Sequence, residues 1–97
     1  VNFAGNTDQL QNGAPDGLAL VNINTMTLLD ALSYEGSCGA VNIPGLGMVS
    51  PVEGMPANIT DPGAGALSRI PNGYDGNNLA TDWVLSNTLT PGLANVP

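Results

Sequence analysis

The stretch that decides the fold is NGAPDGLALVN, residues 12–22, which leads into DALSYEG, residues 30–36. Asn-Gly and Pro-Asp-Gly are turn sequences, because Asn, Asp and Gly tolerate tight-turn backbone angles and Pro presets one of them. The apolar run that follows is typical of a strand covered on both faces. A strand is therefore predicted over Gly17–Asn22. Three of its side chains are predicted to lie in the core: Leu18, Leu20 and Val21.

A second strand is predicted over Thr27–Tyr34. The loop Ile23–Met26 joins it to the first strand, so the two are expected to form a β-hairpin. Further strands are predicted over Ala66–Ile70 and Asp82–Ser86. Within the last strand, Trp83 is predicted to be a core residue, because a single Trp beside Val and Leu is a natural packing anchor.

The middle of the chain, residues 36–66, holds most of the Gly and Pro. A structureless loop of that length is uncommon in a compact domain, so part of it is expected to be a docked strand or an Ω-type loop. A short strand is also predicted at Val1–Phe3. Roughly five strands follow in all, whereas an immunoglobulin-like sandwich has about seven.

Composition favours one all-β domain spanning residues 1–97. The chain has 97 residues, 13 Gly and 8 Pro, which disfavours long helices and favours short strands joined by turns. Hydrophobic residues make up 42% of the chain, so disorder is not expected.

The charge is strongly one-sided. Eight acidic residues face a single basic one, Arg69, for a formal net charge of −7. Binding to nucleic acid needs several Lys or Arg to displace counterions, so a nucleic-acid partner is not expected. No apolar stretch reaches the length of a membrane span, so membrane insertion is not expected either. Arg69 is expected to pair with a carboxylate of its own domain or of a neighbouring subunit.

The residue inventory also argues against catalysis. With no His and no Lys, no ordinary base is present to activate a Ser or Cys nucleophile. Cys38 is the only cysteine, so it is unpaired within the chain and is a small buried hydrophobe, a free thiol or half of an intermolecular bond. We therefore predict that the chain is not an enzyme. The low charge and the absence of Lys favour an extracellular or cell-surface protein.

Two loops hold candidate sites. The turn-rich stretch 72–78 carries oxygen ligands of the kind that Ca²⁺ prefers, and a calcium site is considered at three residues: Asp75, Asn77 and Asp82. The alternative is that Asp and Asn occur there because they suit turns. Residues 58–60 read NIT, an N-glycosylation sequon at Asn58, which would be used only in a secreted eukaryotic protein. Apart from calcium, no cofactor is expected.

The motifs NGxPDG and LSYEG, together with TPGLAN at residues 90–95, resemble the later part of a lamin tail domain of the kind found in secreted bacterial proteins. The resemblance implies an immunoglobulin-like β-sandwich used for attachment and assembly, without an active site. The family's opening strands have no counterpart here. The sandwich is therefore expected to be incomplete, or to be completed by additional polypeptide.

These expectations converge on a non-catalytic extracellular module for structure, adhesion or assembly, whose partner is a further strand and which self-associates. Two alternatives remain open. In the first, the chain is an accessory domain cut from a secreted nuclease or other hydrolase. In the second, it is a calcium-stabilised binding module.

Overall fold

The computed structural model describes residues 13–60 and 62–97. Over these residues it contains six short strands and one helical turn: β1 Asp16–Asn22, β2 Thr27–Tyr34, β3 Val41–Ile43, β4 Gly47–Val49, β5 Ala66–Arg69, α1 Leu79–Asp82 and β6 Trp83–Ser86. The strand predicted at Val1–Phe3 lies outside the described residues. No helix in the described part of the chain is long and apolar enough to cross a membrane.

The strands form three separate antiparallel sheets of two strands each: β1 with β2, β3 with β4, and β5 with β6. Short antiparallel pairs suit this sequence, because its abundant Gly and Pro favour turns and keep the apolar runs short. The predicted all-β class is confirmed.

The β1–β2 hairpin is the longest element and follows the predicted pattern. Leu18 lies opposite Leu32 and Leu20 lies opposite Asp30, while the register shifts between Leu20 and Val21, which lies opposite Leu28. In the connecting loop, the Asn22 side-chain oxygen accepts hydrogen bonds from the next backbone N–H groups, those of residues 24 and 25. The hairpin and the bounds of its second strand are confirmed.

The last strand differs from its prediction at one end. Asp82 belongs to α1, and β6 begins at Trp83. The Asn78 side chain caps α1 by accepting a hydrogen bond from the Ala80 N–H, which holds residues 79–82 in a helical turn. The prediction of a strand starting at Asp82 was therefore wrong, because the cap fixes the local conformation before the apolar run begins.

The Gly- and Pro-rich middle contains the β3–β4 hairpin and an extended segment, residues 53–57. The Ala57 N–H donates to the Ser33 carbonyl at 3.0 Å, and Ala57 forms a parallel bridge with Tyr34. At the other end of the segment the Leu79 N–H donates to the Glu53 carbonyl at 3.1 Å. The segment thus ties the end of β2 to the start of α1.

The core is small. Leu32, Ala57 and Leu79 form its buried cluster. Four half-buried side chains pack against that cluster: Tyr34, Ile59, Leu67 and Trp83. The core therefore sits where β2, the extended segment, α1 and the β5–β6 hairpin meet, and Trp83 lies at its margin.

The core assignment of β1 does not hold in this chain. Leu18 is 42% exposed, Leu20 is 61% exposed and Val21 is half-buried. The reason is that β1 pairs only with β2 among the described strands, so one of its edges lies open. The apolar side chains on both faces of β1 predicted that both faces would be buried. The described residues do not bury them.

Leu79 is the side chain whose loss should cost most. It is fully buried, so Leu79→Ala should lower the free energy of unfolding by about 2–5 kcal/mol, since the cavity is only partly refilled. Urea denaturation measures the change. The matched control, Leu93→Ala at a side chain 76% exposed, should change stability by no more than about 0.5 kcal/mol. Equal effects of the two substitutions would show that the core lies elsewhere.

Candidate functional site

The only basic side chain of the protein lies inside the fold. Arg69 ends β5, and its side chain is only 11% exposed. Across the hairpin it faces Trp83, and its guanidinium carbon lies 5.1 Å from the centroid of the indole ring. A cation over an aromatic face is attracted by the ring's electron density, so the pair fixes the side chain in place.

Three carboxylates surround this guanidinium. Arg69 Nη2 lies 2.9 Å from Asp30 Oδ1, 3.7 Å from Asp75 Oδ1 and 4.0 Å from Glu53 Oε2. The predicted pairing of Arg69 with a carboxylate of its own domain is confirmed. We refer to Asp30, Glu53, Arg69 and Asp75 as the arginine cluster.

Different elements deliver the members of the arginine cluster. Asp30 comes from β2, and its Oδ1 also accepts the Ala31 N–H at 2.8 Å. Asp75 lies in the turn before α1, where its Oδ1 accepts the Asn77 N–H at 3.0 Å. Glu53 begins the extended segment, and the next residue must be Gly. At Gly54 φ is +61°, and a Cβ would lie 2.8 Å from the Asn77 carbonyl oxygen.

The arginine cluster carries three acidic groups against one basic group. Burial, followed by repulsion from Asp75 and Asp30, raises the pKa of Glu53 above its ordinary value of 4.5, although Arg69 acts in the opposite direction. Glu53 Oε2 and Arg69 Nε are buried without a hydrogen-bond partner. At a given pH, Glu53 is therefore protonated in a larger fraction of molecules than an exposed glutamate would be.

Of the predicted calcium ligands Asp75, Asn77 and Asp82, the last is hydrogen-bonded to the backbone. Its carboxylate is buried, and Oδ2 accepts the N–H groups of Gly76 at 2.7 Å and Asn78 at 3.2 Å. Burial alone would raise its pKa, but these hydrogen bonds outweigh burial, and the pKa lies below its ordinary value of 3.8. Asp82 is thus a structural anchor for the turn 76–78.

Asp75 instead joins Asp30 and Glu53, whose ligand oxygens all lie within 4.8 Å of one another. Carboxylate oxygens at that spacing suit a hard cation such as Ca²⁺. In this chain, however, the Arg69 guanidinium already lies beside all three carboxylates and supplies positive charge to them. The sequence did not predict the grouping, since residues 30, 53 and 75 show no spacing pattern.

A second feature is an apolar groove of about 300 Å³ between the β1–β2 and β5–β6 hairpins. Its lining side chains include Leu18, Leu32, Leu67, Trp83 and Leu85. None of the carboxylates of the arginine cluster lines it. The groove offers mainly apolar contact, with the Tyr34 side chain and no carboxylate in its lining, so it suits an apolar side chain better than a reacting substrate.

The remaining predicted sites lie apart from both features. Cys38 is half-buried and free, and its Sγ would lie 3.2 Å from a Cβ placed on Gly17. Its backbone N–H donates to the Ser33 hydroxyl at 2.7 Å. Asn58 is exposed, directly after the buried Ala57. Neither residue reaches the groove or the arginine cluster.

No protein-family model, curated protein or solved structure matches this chain.

The raised pKa of Glu53 predicts a stability that depends on pH. Because the pKa of Glu53 is higher in the folded chain than in the unfolded chain, this side chain favours folding most below pH 4.5. That contribution to stability is lost as pH rises through the raised pKa. Glu53→Gln should therefore have a higher melting temperature than the native chain at pH 7, and the gap should close below about pH 4. Glu35→Gln, the same change at the other glutamate, is the control for the loss of one negative charge. A gap that stays constant with pH would contradict the account.

Asp82 predicts the opposite sign. Because the pKa of Asp82 is lower in the folded chain than in the unfolded chain, its ionised carboxylate stabilises the fold above pH 3.8. This stabilisation is lost as pH falls through the lowered pKa. Asp82→Asn should lower the melting temperature at pH 7, because an amide has one acceptor oxygen where the carboxylate serves three donors. Asp16→Asn, which removes the same charge from a side chain outside the arginine cluster, is the control. An Asp82→Asn chain as stable as the native one would exclude the anchoring role.

Proposed function

We propose that this chain is a non-catalytic structural module, extracellular or at the cell surface. It assembles by pairing an open strand edge with a strand of another polypeptide. In this proposal it is an immunoglobulin-like sandwich related to lamin tail domains, and additional polypeptide completes the sandwich, with a second copy as the first partner. The observation that carries the proposal is the open edge of β1, where Leu18 and Leu20 are 42% and 61% exposed.

The packing of the β1–β2 and β5–β6 pairs supports a sandwich. Leu67 of β5 and Trp83 of β6 pack against the cluster that contains Leu32 of β2, so the two pairs approach each other through apolar side chains. Such face-to-face contact is how the two sheets of a sandwich bury their inner faces. Two strands on each side are too few to cover those faces, and the groove between the hairpins is a consequence.

The exposed apolar surface supports assembly. Eleven large hydrophobic side chains of the described residues are exposed, and several lie on strands: Leu18, Leu20, Leu29, Val41 and Met48. Single exposed hydrophobic residues are normal, whereas a contiguous apolar patch marks an interaction surface. Leu18 and Leu20 lie on one face of one strand; Leu18 lines the groove, and both leucines line a smaller pocket beside Asp30 and Trp83.

The scarcity of charge favours close contact between copies. Charged residues make up 9% of the chain, against about 25% in an ordinary globular protein. Long charged side chains lose rotamer freedom and hydration when an interface forms. A chain with one Arg and no Lys avoids most of that cost.

The chemistry of the site supports a non-catalytic role. The chain has no His and no Lys, and its buried acid Asp82 is used by the backbone. Glu53 and Asp30 are the remaining half-buried acids at the arginine cluster, and Arg69 holds a position beside both. The arrangement joins elements of the fold.

Self-association is the test of this proposal. Size-exclusion chromatography with light scattering, over a range of protein concentrations, should give masses above that of one chain, and electron microscopy should show whether rings or filaments form. The physical reason is that an unpaired apolar edge accepts another strand. A monodisperse monomer at every concentration would contradict the proposal.

A further inference from the structure

β1 is the longest open strand edge in the described part of the chain. The strands β3 and β4 have three residues each, and β5 and β6 have four. At β5, the Asn95 side chain donates to the Arg69 carbonyl at 3.2 Å and so occupies part of that edge. At β2, Ala57 pairs with the end of the strand. β1 offers seven residues without a second partner strand, a length of about 23 Å, whereas β2 keeps six such residues, 27–32, beyond its contacts with Ala57.

Nothing within β1 protects it against pairing. Natural edge strands carry Lys, inward-pointing charges, Pro or a bulge that twists the edge away. The sequence DGLALVN has none of the first three on its central residues. The register shift of the hairpin falls between Leu20 and Val21, and the residue skipped in the pairing is Leu29 of β2. The backbone of β1 therefore keeps one residue per step along its outer edge.

The sequence of β1 is complementary to itself in the antiparallel direction. When two copies pair about a two-fold axis through Ala19, Leu18 of each faces Leu20 of the other, and Gly17 faces Val21. Residues directly opposite in an antiparallel pair point to the same face. The exposed leucines of both copies then form one apolar row, in which each Leu18 lines the groove of its own copy.

This register brings no like charges together. The only charged residue of β1 is Asp16, at its first position, and the two-fold axis places it opposite Asn22 of the other copy. No carboxylate meets a carboxylate along the strand. A like-charge pair directly opposite would destabilise the sheet, and this register avoids it in a molecule whose net charge is −7.

We infer that two copies of this chain pair through β1, antiparallel and centred on Ala19, to form a four-stranded sheet in the order β2–β1–β1–β2. This inference rests on the proposed assembly function and specifies its first contact. The contact is isologous, so it closes on itself, and growth beyond a dimer needs another edge.

The register is tested by disulfide trapping in a Cys38→Ser background, which removes the only native thiol. Ala19→Cys should form a covalent dimer under mild oxidation, because the two positions face each other at a Cα separation of about 4.5–5.5 Å. Leu18→Cys alone should cross-link poorly, since its own copies lie on a diagonal about 7–8 Å apart. A mixture of Leu18→Cys and Leu20→Cys chains should cross-link. Met48→Cys, at a side chain 69% exposed on β4, is the control for random collision.

The contact itself is tested by a charge at its centre. Ala19→Lys places two ammonium groups opposite each other and should weaken dimerisation roughly tenfold or more, as measured by sedimentation equilibrium. Met48→Lys adds the same charge away from β1 and should leave the dimer intact. Circular dichroism and melting checks that both variants fold.

The outcomes separate this inference from the proposed function. The β1 contact is wrong, and assembly uses another surface, if the Ala19→Lys variant dimerises as strongly as the native chain. The same conclusion follows if Ala19→Cys cross-links no better than Met48→Cys. If the native chain stays monomeric at every concentration, both the inference and the proposed function fall. Pairing of β1 with residues 1–12 of its own chain would appear as such a monomer.

Discussion

The fold depends on one buried cation. Arg69 is the only basic side chain, and it contacts carboxylates from β2, from the extended segment and from the turn before α1, while Trp83 of β6 lies against its guanidinium. Its own carbonyl accepts the Asn95 side chain of the C-terminal stretch. A chain with few apolar residues in its core thus joins its separate hairpins through a polar centre, where loss of the cation would leave the half-buried acids Asp30 and Glu53 uncompensated.

The local elements were predictable because their signals are local. The turn sequences before Gly17 and the apolar run after it fix a hairpin, and the bounds of β2 agree with the sequence prediction. The β6 boundary was missed because the Asn78 cap and Asp82 act together on a turn that short-range apolar patterns do not reveal. The arginine cluster was missed for a different reason. Its acids come from residues 30, 53 and 75, and only the packing of the hairpins brings them together.

The sequence signal at β1 and the structure of β1 disagree in an informative way. A run that is apolar on both faces predicts burial, yet the described part of the chain leaves Leu18 and Leu20 exposed. The hydrophobic pattern of a strand reflects all the neighbours that pack against it, including any strand that pairs with it. The exposed leucines of β1 are the observation that links the small core and the groove between the hairpins to the proposed assembly.

The most direct test of this account is amide hydrogen exchange of β1 as a function of protein concentration. The N–H groups of residues 17–21 that point away from β2 should exchange rapidly in dilute protein and slowly at concentrations where dimers form, because pairing satisfies them. Core amides such as that of Leu79 should show no such dependence. Outward amides of β1 that exchange at the same rate at every concentration would contradict the claim that another chain completes this strand.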